Sequence, residues 1–236
     1  MKPQKSLIRA GREPRRDLLL ASILVLLTLL CGLGHLSNTC YWGDDFAAYI
    51  SEAIAIADGN LDAQLELNSS MHPSYLPPSL REGPLCYVWG YPLLLAGVYK
   101  LVGFDRAAFA NIFYYKLPTV ICFALLAGII YIFLRRNLPR RLSFTLAAFF
   151  CAYEGFYEFM DTLYSDLVFL FFFMLALWLI ECFISEAHAP RKAALGVAAG
   201  LAIWCAYEVR LNGIAILLAA VLAQGGRTPK AQKAAH

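Results

Sequence analysis

The stretch Leu18–Leu36, LLLASILVLLTLLCGLGHL, decides the fold class because it is apolar and contains no Asp, Glu, Lys or Arg. A helix needs roughly 20 mostly apolar residues to cross the ~30 Å hydrocarbon layer of a bilayer. A basic tail, residues 1–16, precedes it. A cleavable signal peptide begins in the same way, but Cys40-Tyr41-Trp42 follows where a small-residue cleavage site is expected. We therefore predict a first membrane span.

The composition of the whole chain also indicates a membrane protein. Of its 236 residues, 60% are apolar and 16% are charged, whereas soluble domains average about 25% charged residues. The mean hydropathy is +0.58. One soluble core cannot bury this much apolar surface. The composition therefore excludes a disordered chain and an ordinary soluble enzyme, and the net charge of +3 is too small to indicate a nucleic-acid partner.

Further apolar stretches predict an all-α, polytopic membrane helix bundle of about six spans. The stretch Tyr91–Gly103 is too short to cross and is predicted to be interfacial or re-entrant. Glu208-Val209-Arg210 separates the last two apolar stretches, which form either a hairpin, the arrangement we prefer, or one long helix. The predicted spans after the first are Leu117–Leu134, Leu142–Phe159, Leu167–Ile184, Ala193–Tyr207 and Leu211–Ala223.

The distribution of charge predicts the orientation. With six spans and both termini in the cytoplasm, most of the 20 lysines and arginines lie on the inner side, as the positive-inside rule requires. We therefore predict a multi-pass protein of the plasma membrane, the inner membrane in a bacterium, with a transmembrane domain at 17–224 and a second basic tail at 225–236. The loop 38–106 is predicted to be extracytoplasmic and partly helical. Because that side is oxidising in most cells, a disulfide between Cys40 and Cys86 is one hypothesis.

Two acidic residues, Asp44 and Asp45, follow the first span directly and precede an amphipathic helix predicted from residue 46 to 58. They have two interpretations. Asp44 is a good N-cap and Asp45 favours the helix dipole. Alternatively, one carboxylate at the membrane surface acts as a general base, and the other orients the acceptor or binds a divalent cation such as Mg²⁺ or Mn²⁺. The four histidines show no spacing typical of a zinc site.

The aromatic residues Tyr87, Trp89 and Tyr91 are typical of a membrane-interface belt, and they also suit a platform on which a sugar stacks. Arg81 suits bidentate phosphate binding, and snorkelling to lipid headgroups is the alternative. Snorkelling is the better interpretation for Lys100 and Lys116. Arg210 lies in the short break beside Glu208, where a charge is costly, so it is either paired or used.

Four carboxylates lie near the predicted outer ends of two consecutive spans and suit one shared cavity, although solvated helix ends explain Asp161 and Asp166 equally well. They are Glu154, Glu158, Asp161 and Asp166.

The order of these features resembles the N-terminal half of the GT-C glycosyltransferases of the dolichyl-phosphate-mannose protein mannosyltransferase and aminoarabinose transferase type (family 39 type). The resemblance covers most of residues 17–223 and is carried chiefly by Asp44-Asp45 and the Gly90-Tyr91-Pro92 segment. The other stretches that carry it are AAYISEAIAIADGN (47–60), WGYPLLLAGVYKLVG (89–103), FLRRNL (133–138), YSDLVFLFFFMLALWLIE (164–181) and GLAIWCAYEVRLNGIAILLA (200–219).

The resemblance implies a membrane enzyme that takes a sugar from a polyprenyl-phosphate donor on the outer face. The base that deprotonates a glycan, lipid or protein acceptor would be Asp45 or Asp44, and transfer would invert the anomeric carbon. Arg81 or Arg210 would neutralise the lipid phosphate, while Tyr87, Trp89, Tyr91 and Glu154 are the candidate sugar or acceptor contacts.

Members of this family are longer, with more spans. The resemblance therefore also implies a truncated chain, or one whose partner subunit supplies the C-terminal half. The alternative function is a non-catalytic membrane subunit, such as a scaffold or a partner of a flippase for lipid-linked sugars.

Overall fold

A computed structural model of the protein describes residues 13–39, 44–71, 88–105 and 111–225. Of these, residues 44, 45, 68–71 and 223–225 are described by their backbone alone. All regular structure in these ranges is helical, so the prediction of an all-α fold is confirmed.

The described helices are numbered α1 to α10 in chain order. They are α1 (Pro14–His35), α2 (Asp44–Asp58), α3 (Leu61–Met71), α4 (Gly90–Val102), α5 (Ile112–Arg135), α6 (Arg140–Cys151), α7 (Glu154–Asp161), α8 (Asp166–Ser185), α9 (Ala189–Val209) and α10 (Ala215–Gly225). A 3-10 turn, Leu211–Ile214, joins α9 to α10.

Four of these helices, α1, α5, α8 and α9, are long and apolar enough to cross a membrane. They pack in series, because α1 lies along α5, α5 along α8, and α8 along α9. The helix α5 is central, and its residues Val120, Phe123 and Leu126 are completely buried. The prediction of a membrane helix bundle is confirmed.

The outward faces of the long helices are apolar. Leu18, Leu26 and Leu30 on α1 and Leu201 and Trp204 on α9 are more than half exposed. A soluble protein rarely exposes such continuous apolar surface. Lipid tails are as apolar as these side chains, so exposing the side chains to lipid costs little. These faces are therefore the lipid-contacting surface of the bundle.

The predicted return span Leu142–Phe159 is not one helix, and that prediction is wrong. The helix α6 ends at Cys151, and Tyr153 has an extended backbone with ψ 118° before α7 begins. The freed Cys151 carbonyl accepts a hydrogen bond from Tyr157 Oη at 2.9 Å, which satisfies one of the carbonyls left open at a helix end. With 12 residues, α6 is about 18 Å long and too short to cross alone.

The apolar stretch after residue 189 is also interrupted, at the position where the sequence contains Arg210. The backbone of Arg210 is extended, and the chain then turns so that Gly213 lies against the last turn of α9. A Cβ at Gly213 would lie 2.5 Å from Tyr207 N, so glycine is required for this approach. The structure therefore excludes one continuous helix here.

A second close approach joins α4 to α9 and thereby holds α4 and α2 against the bundle. A Cβ at Gly90 would lie 2.6 Å from the carbonyl carbon and oxygen of Glu208. The neighbouring Tyr91 and Leu95 are completely buried, and α2 packs on α4 through Tyr49 and Ala53. Thus α9 supports α4, and α4 supports α2.

We predict that Gly90→Ala destabilises the protein by about 1–3 kcal/mol, the usual cost of overpacking, because α4 must move away from the α9 backbone. Thermal unfolding of the purified chain in detergent measures the effect. The matched control is Gly97→Ala on the same helix, where an added Cβ meets nothing within 4 Å. Since alanine is favoured over glycine inside a helix by about 0.5–1 kcal/mol, the control is expected to unfold at a slightly higher temperature. Equal shifts in the two variants would contradict the prediction.

Candidate functional site

The acidic pair lies where the sequence predicts a helix to start. The helix α2 begins at Asp44, and Asp45 is its second residue. The structure describes the backbone of both residues but not their side chains. It therefore tests neither the capping interpretation nor the catalytic one. We call this part of the bundle, where α1 ends and α2 begins, the α2 end.

A chain of buried tyrosines fixes the direction of α2. The rings of Tyr49 and Tyr91 meet edge to face with their centroids 4.9 Å apart. The Tyr49 hydroxyl is hydrogen-bonded with Ser165 Oγ at 3.0 Å, and the Tyr91 hydroxyl with Thr119 Oγ1 at 3.1 Å. A buried polar group costs stability unless it has such a partner. Tyr91 is 0% exposed, so in this structure it positions α4 and α2 from behind.

A buried ion pair joins α5 to α7 at the α2 end. Lys116 is 0% exposed, and its Nζ lies 2.6 Å from Asp161 Oδ1. The ammonium group also donates to the carbonyl oxygens of Ser37, at 2.9 Å, and Thr39, at 2.7 Å. The snorkelling interpretation of Lys116 is therefore wrong, because three oxygens inside the protein replace its solvation.

Asp161 is equally well satisfied and is not a solvated helix end. Its Oδ1 accepts from the Ser37 backbone N–H at 2.8 Å, and its Oδ2 accepts from Ser37 Oγ at 2.7 Å. The network fixes residues 37–39, which lead from α1 toward the acidic pair. Sequence reasoning missed this role, although a lysine in an apolar segment is a sufficient signal that a partner exists.

Arg210 is paired with Asp166. The guanidinium Nη1 of Arg210 contacts Asp166 Oδ1, which joins the end of α9 to the start of α8. The Arg210 side chain is 37% exposed, and a guanidinium carries five N–H donors. Arg210 therefore remains accessible to a second anion on its exposed side.

An apolar groove with a volume of about 210 Å³ lies between α4, α8 and α9 on the lipid-facing side. Among the described residues its one carboxylate is that of Glu208, and its two indole rings belong to Trp89, directly before α4, and Trp204, on α9. Val209, which lines the groove, directly precedes Arg210. The lining residues are Trp89, Gly90, Leu93, Leu94, Phe172, Trp204, Cys205, Glu208 and Val209.

A polar cavity of about 600 Å³ lies beside the Lys116–Asp161 pair. It is lined by His35 and Ser37 from the end of α1 and by Glu158, Asp161 and Thr162 from α7. Of the four carboxylates predicted near the outer helix ends, the structure therefore brings Glu158 and Asp161 together. Asp166 instead pairs with Arg210, and Glu154 is exposed at the first position of α7.

The turn between α7 and α8, which follows Asp161, has an unusual backbone conformation. Leu163 has φ 57°, the left-handed region that a branched apolar residue rarely adopts. Its side chain is 1% exposed and packs with Tyr49 and Val168. Burial of Leu163 thus keeps Asp161 on one side of the turn and Ser165 on the other.

Four candidates from the sequence lie outside the described residues, namely Arg81, Tyr87 and the predicted disulfide partners Cys40 and Cys86. Within the described ranges, no group of three or more His, Cys, Asp or Glu side chains is arranged to hold a metal ion.

We predict that Lys116→Met destabilises the protein by about 3–5 kcal/mol, because it leaves the Asp161 carboxylate buried without a counter-charge. Thermal unfolding in detergent measures the loss. The double variant Lys116→Met with Asp161→Asn removes both charges and is expected to recover part of the stability.

The control for this test is Lys100→Met, which alters a solvent-exposed lysine on α4 and is expected to change stability by less than about 0.5 kcal/mol. A Lys116 variant as stable as this control would show that the buried pair does not hold the α2 end.

Comparison with known proteins agrees with the membrane helix bundle described above. The model of the family described as dolichyl-phosphate-mannose-protein mannosyltransferase matches residues 90–236. The match begins at the glycine that packs on α9 and includes the groove helices, Lys116, Asp161, Asp166 and Arg210, while the acidic pair lies before it. No curated protein and no solved structure matches the chain significantly. Because the family model covers more than half of the chain, this membrane protein belongs to the dolichyl-phosphate-mannose-protein mannosyltransferase family, a GT-C glycosyltransferase family.

Proposed function

We propose that the protein transfers a sugar from a polyprenyl-phosphate donor to an acceptor at the α2 end, with inversion at the anomeric carbon. The observation that carries the proposal is that Arg210 directly follows Val209, the last residue of α9 and part of the lining of the apolar groove. A polyprenyl-phosphate sugar is an apolar chain that ends in an anionic phosphate. The groove and the arginine match those two parts in the same order.

In this proposal the first isoprene units lie between Trp89 and Trp204. Both rings line the groove, which is apolar except for Glu208. Indole rings are common at the level of lipid headgroups because they combine an apolar body with one polar N–H. The donor phosphate would then lie at the membrane surface beside the end of α9.

Arg210 is the proposed phosphate ligand within the described residues, and Arg81 is the second. An arginine binds phosphate through two parallel N–H donors, which fixes direction as well as charge. In the free protein Asp166 accepts from Arg210 Nη1, so the guanidinium is oriented before the donor arrives. When the donor reacts, negative charge grows on the phosphate oxygen, and a cation placed there stabilises the transition state.

The proposed base is Asp45 or, alternatively, Asp44. The carboxylate takes the proton from the acceptor hydroxyl, whose oxygen attacks the anomeric carbon while the bond from that carbon to the phosphate oxygen breaks. The leaving group, polyprenyl phosphate, departs as a stable anion, so no general acid is needed. The tyrosine chain through Tyr49 and the Lys116 network support this proposal because they hold α2 and its approach rigidly.

We assign the sugar contact to Tyr87, because Trp89 lines the groove proposed for the isoprene chain, and acceptor contacts to the polar cavity and Glu154. Tyr91 supports the platform from its buried position. The cavity presents the hydroxyl of Thr162 and the carboxylate of Glu158, groups that suit the hydroxyls of a glycan, lipid or protein acceptor. In this proposal the α2 end lies at the extracytoplasmic face of the plasma membrane. The opposite end of the bundle, which carries Arg135, Arg136 and Arg140, faces the cytoplasm.

We predict that only one of the single variants Asp45→Asn and Asp44→Asn, the one that removes the base, lowers transfer. The expected loss is at least about 10²-fold, the lower range of general-base contributions. The measurement is release of polyprenyl phosphate from polyprenyl-phosphate mannose. The other single variant retains most of the activity. Binding of polyprenyl phosphate, the product, is expected to stay unchanged in both variants because the described lining of the groove comes from α4, its preceding Trp89, α8 and α9.

Full transfer by both asparagine variants would overturn the assignment of the base. If the unaltered protein binds polyprenyl phosphate but transfers no sugar, the alternative of a non-catalytic membrane subunit is favoured. The two results are distinguishable because binding and transfer are measured separately.

We predict that Leu93→Trp weakens binding of long-chain polyprenyl phosphate by about 10-fold or more, since a bulky ring fills a groove that the first isoprene units would occupy. A water-soluble phosphate with a single isoprene unit is expected to lose less. The matched control is Leu101→Trp, on the same helix and 85% exposed, outside the groove. Equal binding by Leu93→Trp and the control would place the chain elsewhere.

A further inference from the structure

The end of the bundle opposite the α2 end contains a cavity that the proposed transfer does not use. It lies between the first turn of α1 and the last turn of α5 and has a volume of about 370 Å³. We call it the basic-end cavity, and it is lined by Pro14, Asp17, Leu18, Ile132, Arg135 and Arg136.

Arginines outnumber carboxylates around this cavity. Asp17 Oδ1 accepts from Arg135 Nε at 3.1 Å, from Arg140 Nε at 2.8 Å and from the Tyr131 hydroxyl at 3.0 Å. Arg136 Nε pairs with Glu181 Oε1 on α8 at 3.0 Å. The described ion pairs at this end set four guanidinium groups, those of Arg16, Arg135, Arg136 and Arg140, against three carboxylates, those of Glu13, Asp17 and Glu181. The excess is positive, and Asp17 holds two of the guanidinium groups in fixed directions.

The same cavity has an apolar wall that faces lipid. Leu18 is 64% exposed on the outward face of α1, and Ile132 lies one turn before the arginines on α5. A ligand in the cavity therefore meets fixed cations on one side and hydrocarbon on the other. That combination matches an amphiphile with an anionic head, and a soluble anion would gain nothing from the apolar wall.

We propose that the basic-end cavity binds the phosphodiester headgroup of an anionic phospholipid from the adjacent leaflet. Arg136, which lines the cavity, and Arg135 contact the phosphate, while Leu18 and Ile132 contact the first methylenes of the acyl chains. Basic pockets between membrane helices bind such headgroups, and arginine matches phosphate geometry. The bound lipid joins α1 to α5 at this end, and the proposal does not depend on the transfer reaction.

The test is native mass spectrometry of the purified full chain with equimolar phosphatidylglycerol and phosphatidylcholine at low ionic strength. One phosphatidylglycerol is expected to remain bound, at least about fivefold in excess over phosphatidylcholine, as one arginine near an anionic lipid implies. Raising the salt concentration is expected to reduce this preference. Inorganic phosphate and glycerophosphoglycerol, the headgroup without acyl chains, are the competitors.

Two variants probe the cavity in different ways. Arg136→Gln removes a cation and the Glu181 ion pair, whereas Ile132→Trp fills the cavity and keeps every charge. Both are expected to lower the preference for phosphatidylglycerol about fivefold. Arg191→Gln, which alters an exposed arginine on α9 away from the cavity, is the control and is expected to retain the preference.

Equal retention of the two lipids by the unaltered protein would overturn the proposal, as would loss of the preference in Arg191→Gln to the same extent as in Ile132→Trp. Displacement of phosphatidylglycerol by equimolar inorganic phosphate would also overturn it, because the site would then recognise a free anion. Binding that survives both competitors and fails in Ile132→Trp supports a lipid site.

Discussion

The α2 end depends on the buried pair of Lys116 and Asp161. Two charges removed from water cost several kcal/mol each in real proteins, and their attraction repays this only when further hydrogen bonds complete the geometry. Here the main chain of residues 37–39 supplies those bonds. The requirement has a structural consequence, because neither α7 nor the end of α1 can move without leaving a buried charge. Electrostatic interactions and hydrogen bonds therefore hold residues 37–39, the segment that leads to the acidic pair.

What the sequence predicts well is local. The spans α1, α5 and α8 follow from unbroken apolar stretches, because a bilayer imposes its thickness on each helix independently. The break between α6 and α7 depends instead on the extended backbone of Tyr153 and on a carbonyl that Tyr157 satisfies. Neither of these two features changes the hydropathy of the segment, so a hydropathy pattern does not reveal the break. The partner of Lys116 lies 45 residues away, and no periodicity in one chain indicates which of several carboxylates it meets.

In the candidate site, too, local features could be predicted from the sequence and tertiary contacts could not. The break at Arg210 could be predicted because a charge between two apolar stretches must be paired or used. Its partner could not be predicted, since the neighbouring Glu208 is nearer in sequence than Asp166. The groove was not predictable either, because it exists only where Gly90 lets α4 approach the α9 backbone. Trp89 and Tyr91 were both expected at the interface, yet only Trp89 lines the groove, whereas Tyr91 is buried behind it.

In the proposed function, the pairing of Arg210 with Asp166 constrains how a lipid phosphate is recognised. A phosphate that approaches Arg210 competes with a carboxylate already in contact, so the net gain from charge is small. Most of the affinity for the proposed polyprenyl-phosphate donor would then come from van der Waals packing of the chain in the groove, because the chain exchanges bilayer hydrocarbon for protein rather than leaving water. The arginine contributes direction, and its electrostatic benefit is realised when charge develops on the departing phosphate. For the proposed donor, such a site would gain little net energy from either the chain or the charge, which favours exchange of donor for product within the membrane.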